Sequence, residues 1–122
     1  MKFKSLQENF TTLELKRYYD KRFAERPLRA RRGFYEWIVS CVSPGAGCRV
    51  LDIACGGGYL LKALTVRDCS LHGCDLSSEA VKIAKELCPE AKLVVSDAEK
   101  LPYPDEFFDM VYNLGSLEHF ID

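Results

Sequence analysis

The sequence predicts an α/β fold in which helices precede a mainly parallel sheet. After Gly47, short apolar segments alternate with amphipathic segments of helical spacing, an order typical of βαβ units. The apolar segments are continuous, as in strands that are covered on both faces. A length of 122 residues fits one domain of this kind.

Two amphipathic helices are expected before the sheet. Thr11 and Glu14 form a capping-box pattern, after which apolar residues recur at helical spacing: Leu15, Tyr18, Tyr19 and Phe23. Pro27 suits the first turn of a second helix, and the Pro44-Gly45 pair ends that helix. Its apolar stripe is expected to pack in the core and consists of Phe34, Trp37, Ile38, Cys41 and Val42.

The alternating part of the chain predicts four strands. They are expected at residues 49–54, 70–76, 92–97 and 108–114. Helices are expected between them at residues 59–66 and from Ser77 or Ser78 to Leu87, and another helix or turn begins near residue 116.

Charge and cysteine content narrow the class of protein. A net charge of −1 gives no electrostatic case for a nucleic-acid or anionic-membrane partner. The apolar runs are shorter than the roughly 20 residues that a membrane span needs. Six cysteines without a C-x-x-C pair or a signal sequence predict a reduced, cytoplasmic protein with no metal site.

Three consecutive glycines, Gly56 to Gly58, separate the first sheet strand from the following helix. Such a βα turn is typical of nucleotide-binding sheets, because glycine lets backbone and ligand approach closely. A triphosphate loop is excluded, since its G-K-[ST] sequence is missing. A dinucleotide fingerprint fits poorly, because Leu61 stands where a third small residue is needed.

Two acids indicate the ligand's chemistry. Asp52 lies just before the glycine turn, where a carboxylate would repel a pyrophosphate but would suit a positive amino group. Asp75 ends the second strand, where this architecture binds ribose hydroxyls. The expected ligand therefore carries both a cationic group and a ribose.

Four motifs together resemble those of class I S-adenosylmethionine-dependent methyltransferases: D-I-A-C-G-G-G from Asp52, C-D-L from Cys74, V-S-D-A-E-K-L-P from Val95 and F-D-M-V-Y-N-L from Phe108. The similarity runs from about Arg49 to Asp122. Residues 98–109 match the loop pattern A-x-x-L-P-[YF]-x-D-x-x-F-D of the small-molecule branch. The resemblance implies a Rossmann-like, doubly wound sheet, partial here, with about four strands in the order 3-2-1-4.

The resemblance also implies that S-adenosyl-L-methionine is the cofactor. Asp52 would serve its methionyl amino group through a water molecule, and Asp75 would take the ribose hydroxyls. Gly56 and Gly58 would let the backbone wrap the methionyl and sugar part. Ala54 replaces the first glycine of the family's motif, which is the one visible departure from it.

The remaining cofactor contacts implied by the resemblance lie at the ends of the other strands. Leu76 would lie against one face of the adenine, and Asp97 with the backbone of Ala98 would bind its amino edge. Asn113 or Leu114 would contact the methionyl end of the cofactor.

The expected activity is methyl transfer to a small-molecule acceptor. A sulfonium methyl group is already activated, so the protein mainly supplies proximity and orientation, and no catalytic residue is compulsory. His119 is a candidate base. The segment Y-N-L-G-S lacks the [DNS]-P-P-[YFW] signature of amino-directed nucleic-acid methylation. Two alternatives remain open: a module that binds the adenosyl ligand without transfer, and a fragment of an NAD-dependent oxidoreductase.

The family fold has seven strands, whereas this sequence supplies four. We therefore expect an N-terminal helical segment at residues 1–47 and a cofactor-binding half-domain at residues 48–122, truncated before the acceptor-binding half. The fourth strand would then form an exposed sheet edge, through which a homo-oligomer is expected to assemble.

Overall fold

A computed structural model describes residues 12–25 and 33–114. Its helices are α1 (Thr12–Glu25), α2 (Phe34–Cys41), α3 (Tyr59–Leu64) and α4 (Ser78–Leu87). Its strands are β1 (Arg49–Ile53), β2 (Ser70–Asp75), β3 (Lys92–Val95) and β4 (Met110–Tyr112). Pro27 and the segment from residue 116 lie outside the described residues.

The four strands form one parallel sheet in the order β3-β2-β1-β4. The predicted Rossmann-like α/β fold and strand order are confirmed. In the register of the sheet, Asp52 of β1 lies between Gly73 of β2 and Tyr112 of β4. Because all strands run the same way, their carboxyl ends meet at one edge of the sheet, where ligands bind in folds of this type.

Helix α3 provides much of the core. Leu60, Leu61 and Leu64 are almost fully buried and pack with Val50 of β1. A glycine in β2 permits this close packing: a Cβ atom on Gly73 would lie 2.7 Å from Cδ1 of Leu61 and equally close to Cδ2 of Leu93. The absence of a side chain there lets the helix and the neighbouring strand approach the centre of the sheet.

The predicted apolar stripe of the second helix is wrong for three of its residues. Trp37 is 59% exposed, and Cys41 and Val42 are also exposed. Val39 is buried instead, with Ile38 packed beside it. The helix turns this face towards α3, so its buried positions differ from those that the helical spacing of its apolar residues predicted.

Strand β4 is shorter than predicted because Phe107 and Phe108 leave the sheet for an aromatic cluster. Their rings meet the buried His72 edge-on, with centroid distances of 5.8 Å and 5.1 Å. Asp109 then begins the pairing with β1: its backbone N–H donates to Arg49 O at 2.9 Å, and its Oδ2 accepts from Arg49 N at 2.8 Å.

None of the helices in the described ranges is long and apolar enough to cross a membrane. Within the same ranges, β4 forms one edge of the sheet, and Val111 is 51% exposed on it.

Candidate functional site

Two carboxylates lie buried at the carboxyl ends of the central strands. Asp52 on β1 is 4% exposed, and Asp75 at the end of β2 is 9% exposed. The strands are paired neighbours, and the glycine turn from β1 to α3 begins just beyond Asp52. The fold thus brings together the two acids that the sequence singled out.

Asp75 holds two loops together. Its Oδ2 accepts a hydrogen bond from Gly56 N at 2.9 Å, and its Oδ1 accepts one from Ser77 N at 2.9 Å. The carboxylate therefore links the glycine turn to the turn that begins α4. Burial raises the pKa of Asp75, although both backbone hydrogen bonds oppose that shift. The contact with Ser77, two residues on, is a local turn of the kind that aspartates form, whereas the contact with Gly56 joins positions far apart and leaves no pattern in the sequence.

Asp52 has a different environment. The described part of the chain donates no hydrogen bond to its carboxylate. Burial, and then the charge of Asp75, raise its pKa well above the ordinary value. Because the native pKa is raised, the charged form costs stability above the ordinary pKa, and protonation at falling pH relieves that cost. A cationic ligand would also relieve this cost, because its positive charge would stabilise the ionised carboxylate.

The glycine turn combines left-handed backbone with close helix packing. Gly56 and Gly58 have φ angles of 54° and 84°, and Gly58 is buried against α4. A Cβ atom on Gly58 would lie 2.9 Å from Cβ and 3.1 Å from Cα of Ala84. Ala54 also has a positive φ, 55°, which gives a physical reason why glycine suits this position in related motifs.

Asp97 and Ala98 follow β3 beside Asp75, because Ser96 N donates to Asp75 O at 3.0 Å. Oδ1 of Asp97 accepts from Glu99 N at 3.0 Å, so this carboxylate also stabilises its own turn. Leu76 follows Asp75 directly and is half-buried. Asp97 and Ala98 thus lie just beyond the edge strand β3, and Leu76 lies just beyond its neighbour β2.

Asn113 and Leu114 follow β4 on the opposite side of β1. Tyr112 pairs with Asp52, which places Asn113 one position beyond that register. Within the described chain, Oδ1 of Asn113 is buried and accepts no hydrogen bond. Leu114 is partly exposed. Asn113 and Asp52 therefore each present an acceptor to which no group in the described ranges donates.

Two free thiols, those of Cys55 and Cys74, are buried near the two acids. Burial raises the pKa of Cys74 to about 11 and also raises the pKa of Cys55, with the neighbouring acids adding to both shifts. These thiols are therefore neutral. No group of three or more His, Cys, Asp or Glu arranged to hold a metal lies in the described ranges, and His119 is outside them.

A family model described as a methyltransferase domain matches residues 51–122. The ubiquinone biosynthesis O-methyltransferase of Thiobacillus denitrificans is 36% identical over 102 residues, which cover 79% of this chain and 41% of that protein. The 27-O-demethylrifamycin SV methyltransferase of Amycolatopsis mediterranei is 39% identical over 84 residues, covering 63% of this chain and 31% of that protein. The chain thus spans well under half of the length of either relative.

A solved structure shares the fold. The SAM-dependent methyltransferase from Thiobacillus denitrificans, in complex with S-adenosyl-L-homocysteine, superposes with a TM-score of 0.66 at 21% identity. The match covers 81% of this chain and 43% of that one.

We predict that Gly58→Ala lowers the free energy of unfolding by about 2 to 4 kcal/mol, from left-handed strain together with the contact on Ala84. Chemical denaturation followed by circular dichroism measures this change. Ala54→Gly is the matched control in the same turn and should leave stability within about 1 kcal/mol, because it relieves strain but adds chain entropy. Equal stability of Gly58→Ala and the parent protein would contradict the packing described for this turn.

Proposed function

The chain belongs to the methyltransferase domain family, and we propose from this premise that it binds S-adenosyl-L-methionine for methyl transfer to a small-molecule acceptor. The buried carboxylate of Asp52, which has no donor in the described chain, carries this proposal. A buried charge without a partner is costly, so a site that retains one suits a cationic ligand. The amino group of the cofactor has that charge.

The residues at this edge of the sheet fit such a ligand. Asp52 and Oδ1 of Asn113 both lack donors within the described chain, and an amino group has several N–H bonds to offer. Asp75 uses each oxygen for one backbone amide, and each keeps a lone pair for a ribose hydroxyl. Two neighbouring acceptor sites with these properties match a ligand with an amino group and a ribose.

The other contacts are assigned by position. Leu76 would lie against the adenine, Asp97 with the Ala98 backbone would bind its amino edge, and Leu114 would lie on the methionyl side. The backbone at Gly56 would wrap the methionyl and sugar part. When bound, S-adenosyl-L-methionine supplies a methyl group already activated by the sulfonium charge. The protein's part is to orient that ligand and to exclude water.

A small-molecule acceptor is supported by the names of the relatives, which refer to ubiquinone biosynthesis and to 27-O-demethylrifamycin SV. We assign no catalytic base. We further propose that residues 48–122 form the cofactor-binding part and residues 1–47 an N-terminal helical segment. All six cysteines are free thiols, which suits the reducing conditions of the cytoplasm.

Titration calorimetry tests the cofactor directly. The chain should bind S-adenosyl-L-homocysteine in preference to NAD, and Asp75→Ala should weaken that binding by about 2 to 3 kcal/mol through loss of charged hydrogen bonds. The matched control is Asp68→Ala, which should bind normally, because Asp68 is an exposed acid that lies just before the start of β2. Preference for NAD, or unchanged affinity in Asp75→Ala, would refute the proposal. Incubation with a labelled methyl donor and a pool of metabolites separates an enzyme from a binding module.

We also propose that β4 pairs between two copies of the chain, because it is an edge strand of the described sheet with an exposed Val111. Light scattering over a dilution series should show a dimer that Val111→Lys converts to monomer. Val66→Lys, at an exposed apolar residue after α3, is the matched control. A monomer at micromolar concentration before any substitution would refute this assembly.

A further inference from the structure

Helix α1 contacts the site from a distant part of the sequence. Oδ1 of Asp20 accepts hydrogen bonds from Ser77 Oγ at 2.7 Å, from Ser78 Oγ at 3.2 Å and from Glu79 N at 3.2 Å. Lys16 Nζ donates to Leu76 O at 3.3 Å. These two side chains therefore hold every residue of the turn from 76 to 79, which begins directly after Asp75.

The turn held by α1 is the one that orients Asp75. Ser77 N donates to Oδ1 of Asp75, while the Ser77 hydroxyl donates to Asp20 and accepts from Ala80 N at 3.1 Å. Ser77 is fully buried, so water does not replace these partners. The position of the Ser77 amide, and with it that of the Asp75 carboxylate, is thus coupled to Asp20.

The N-terminus of helix α4 explains why an acidic residue occupies position 20. Ser77 caps the amide of Ala80, and Asp20 accepts from the amide of Glu79, so two of the helix's free N–H groups are satisfied by different parts of the chain. A negative charge at a helix N-terminus is favourable. These hydrogen bonds and Lys16 lower the pKa of Asp20 despite its partial burial, so its carboxylate stays charged at neutral pH.

The pairing of Lys16 with Asp20 within α1 does not by itself account for these residues. Lys16 and Asp20 are four residues apart, and 3.2 Å separates Lys16 Nζ from Asp20 Oδ2. The basic residue precedes the acidic one, which is the less favourable order along a helix. Both side chains are partly exposed, where ion pairs add little stability. Their contacts with residues 76–79 give each of them a second role.

We propose that Asp20 and Lys16 are positioning residues for the cofactor site: through the 76–79 turn Asp20 sets the orientation of Asp75 for ribose, and Lys16 sets that of Leu76 for adenine. This inference rests on the proposed function. Binding of the cofactor and docking of α1 are then coupled, and each favours the other.

Calorimetry with two ligands tests the proposal on the full chain: S-adenosyl-L-homocysteine and its 2′,3′-dideoxy analogue, which lacks the ribose hydroxyls. Asp20→Ala should weaken binding of the first ligand about tenfold, as expected for lost charged hydrogen bonds, and should change binding of the analogue much less. Lys16→Met should weaken binding of both ligands, because Lys16 holds Leu76 and both ligands keep the adenine. Arg17→Met, an exposed residue on the same helix, is the matched control and should bind both ligands normally.

Hydrogen exchange in the ligand-free chain gives a second readout. The amides of Ser77 and Glu79 should exchange faster in Asp20→Ala than in the parent chain. Glu79 N donates to Asp20 directly, and Ser77 N donates to Asp75 from the turn that Asp20 holds through the Ser77 hydroxyl. If Asp20→Ala does not fold, Asp20→Asn keeps a neutral acceptor and should show smaller changes in the same direction. An equal loss of affinity for both ligands in Asp20→Ala, or unchanged affinity and exchange in that variant, would overturn the positioning role of Asp20. Unchanged affinity for both ligands in Lys16→Met would overturn that of Lys16.

The same measurements separate this proposal from the function on which it rests. If the parent chain binds neither ligand, the proposed cofactor is wrong, and so is a role in positioning for it. If the parent chain binds S-adenosyl-L-homocysteine and Asp75→Ala does not, the cofactor proposal stands, and the Asp20 and Lys16 variants alone decide the positioning role.

Discussion

Asp52 has a buried carboxylate that accepts no hydrogen bond from the described residues, and the candidate site depends on this constraint. Asp52 lies on the central strand β1 and is 4% exposed, and a second buried acid on the adjacent strand raises its pKa further. Two neighbouring carboxylates in a poorly solvated place repel each other, so ionising Asp52 is harder in the free protein than in water. The molecule keeps this unfavourable arrangement at the sheet edge where ligands bind, which is typical of a functional site.

The rest of the fold places and supports the two acids. Parallel pairing of β1 and β2 brings their carboxyl ends together, and Gly73 lets α3 and β3 pack closely around β2. Asp75 then joins the glycine turn to the start of α4 through two amides. Helix α1 approaches that turn from the other side through Asp20. The same turns therefore contribute both to the stability of the core and to the geometry of the site.

Much of the fold was predictable because its signals are local. Continuous apolar runs marked the strands, Ser77 marked the start of α4, and the glycine turn with Asp52 and Asp75 marked the site. The buried face of α2 was not predictable from the helical spacing of its apolar residues, since the packing of α3 decides that Val39 is buried and Trp37 exposed. The contacts of Asp20 with residues 77–79 join positions nearly sixty apart and leave no pattern in the sequence.

The pH titration of the Asp52 carboxyl carbon, followed by NMR in the free chain and with S-adenosyl-L-homocysteine bound, tests the central claim most directly. In the free chain the pKa should lie well above the ordinary value of about 3.9, because burial and Asp75 disfavour the charge. Bound ligand should lower it, since a positive amino group favours the carboxylate. An ordinary pKa in the free chain that the ligand leaves unchanged would contradict a cation site at Asp52.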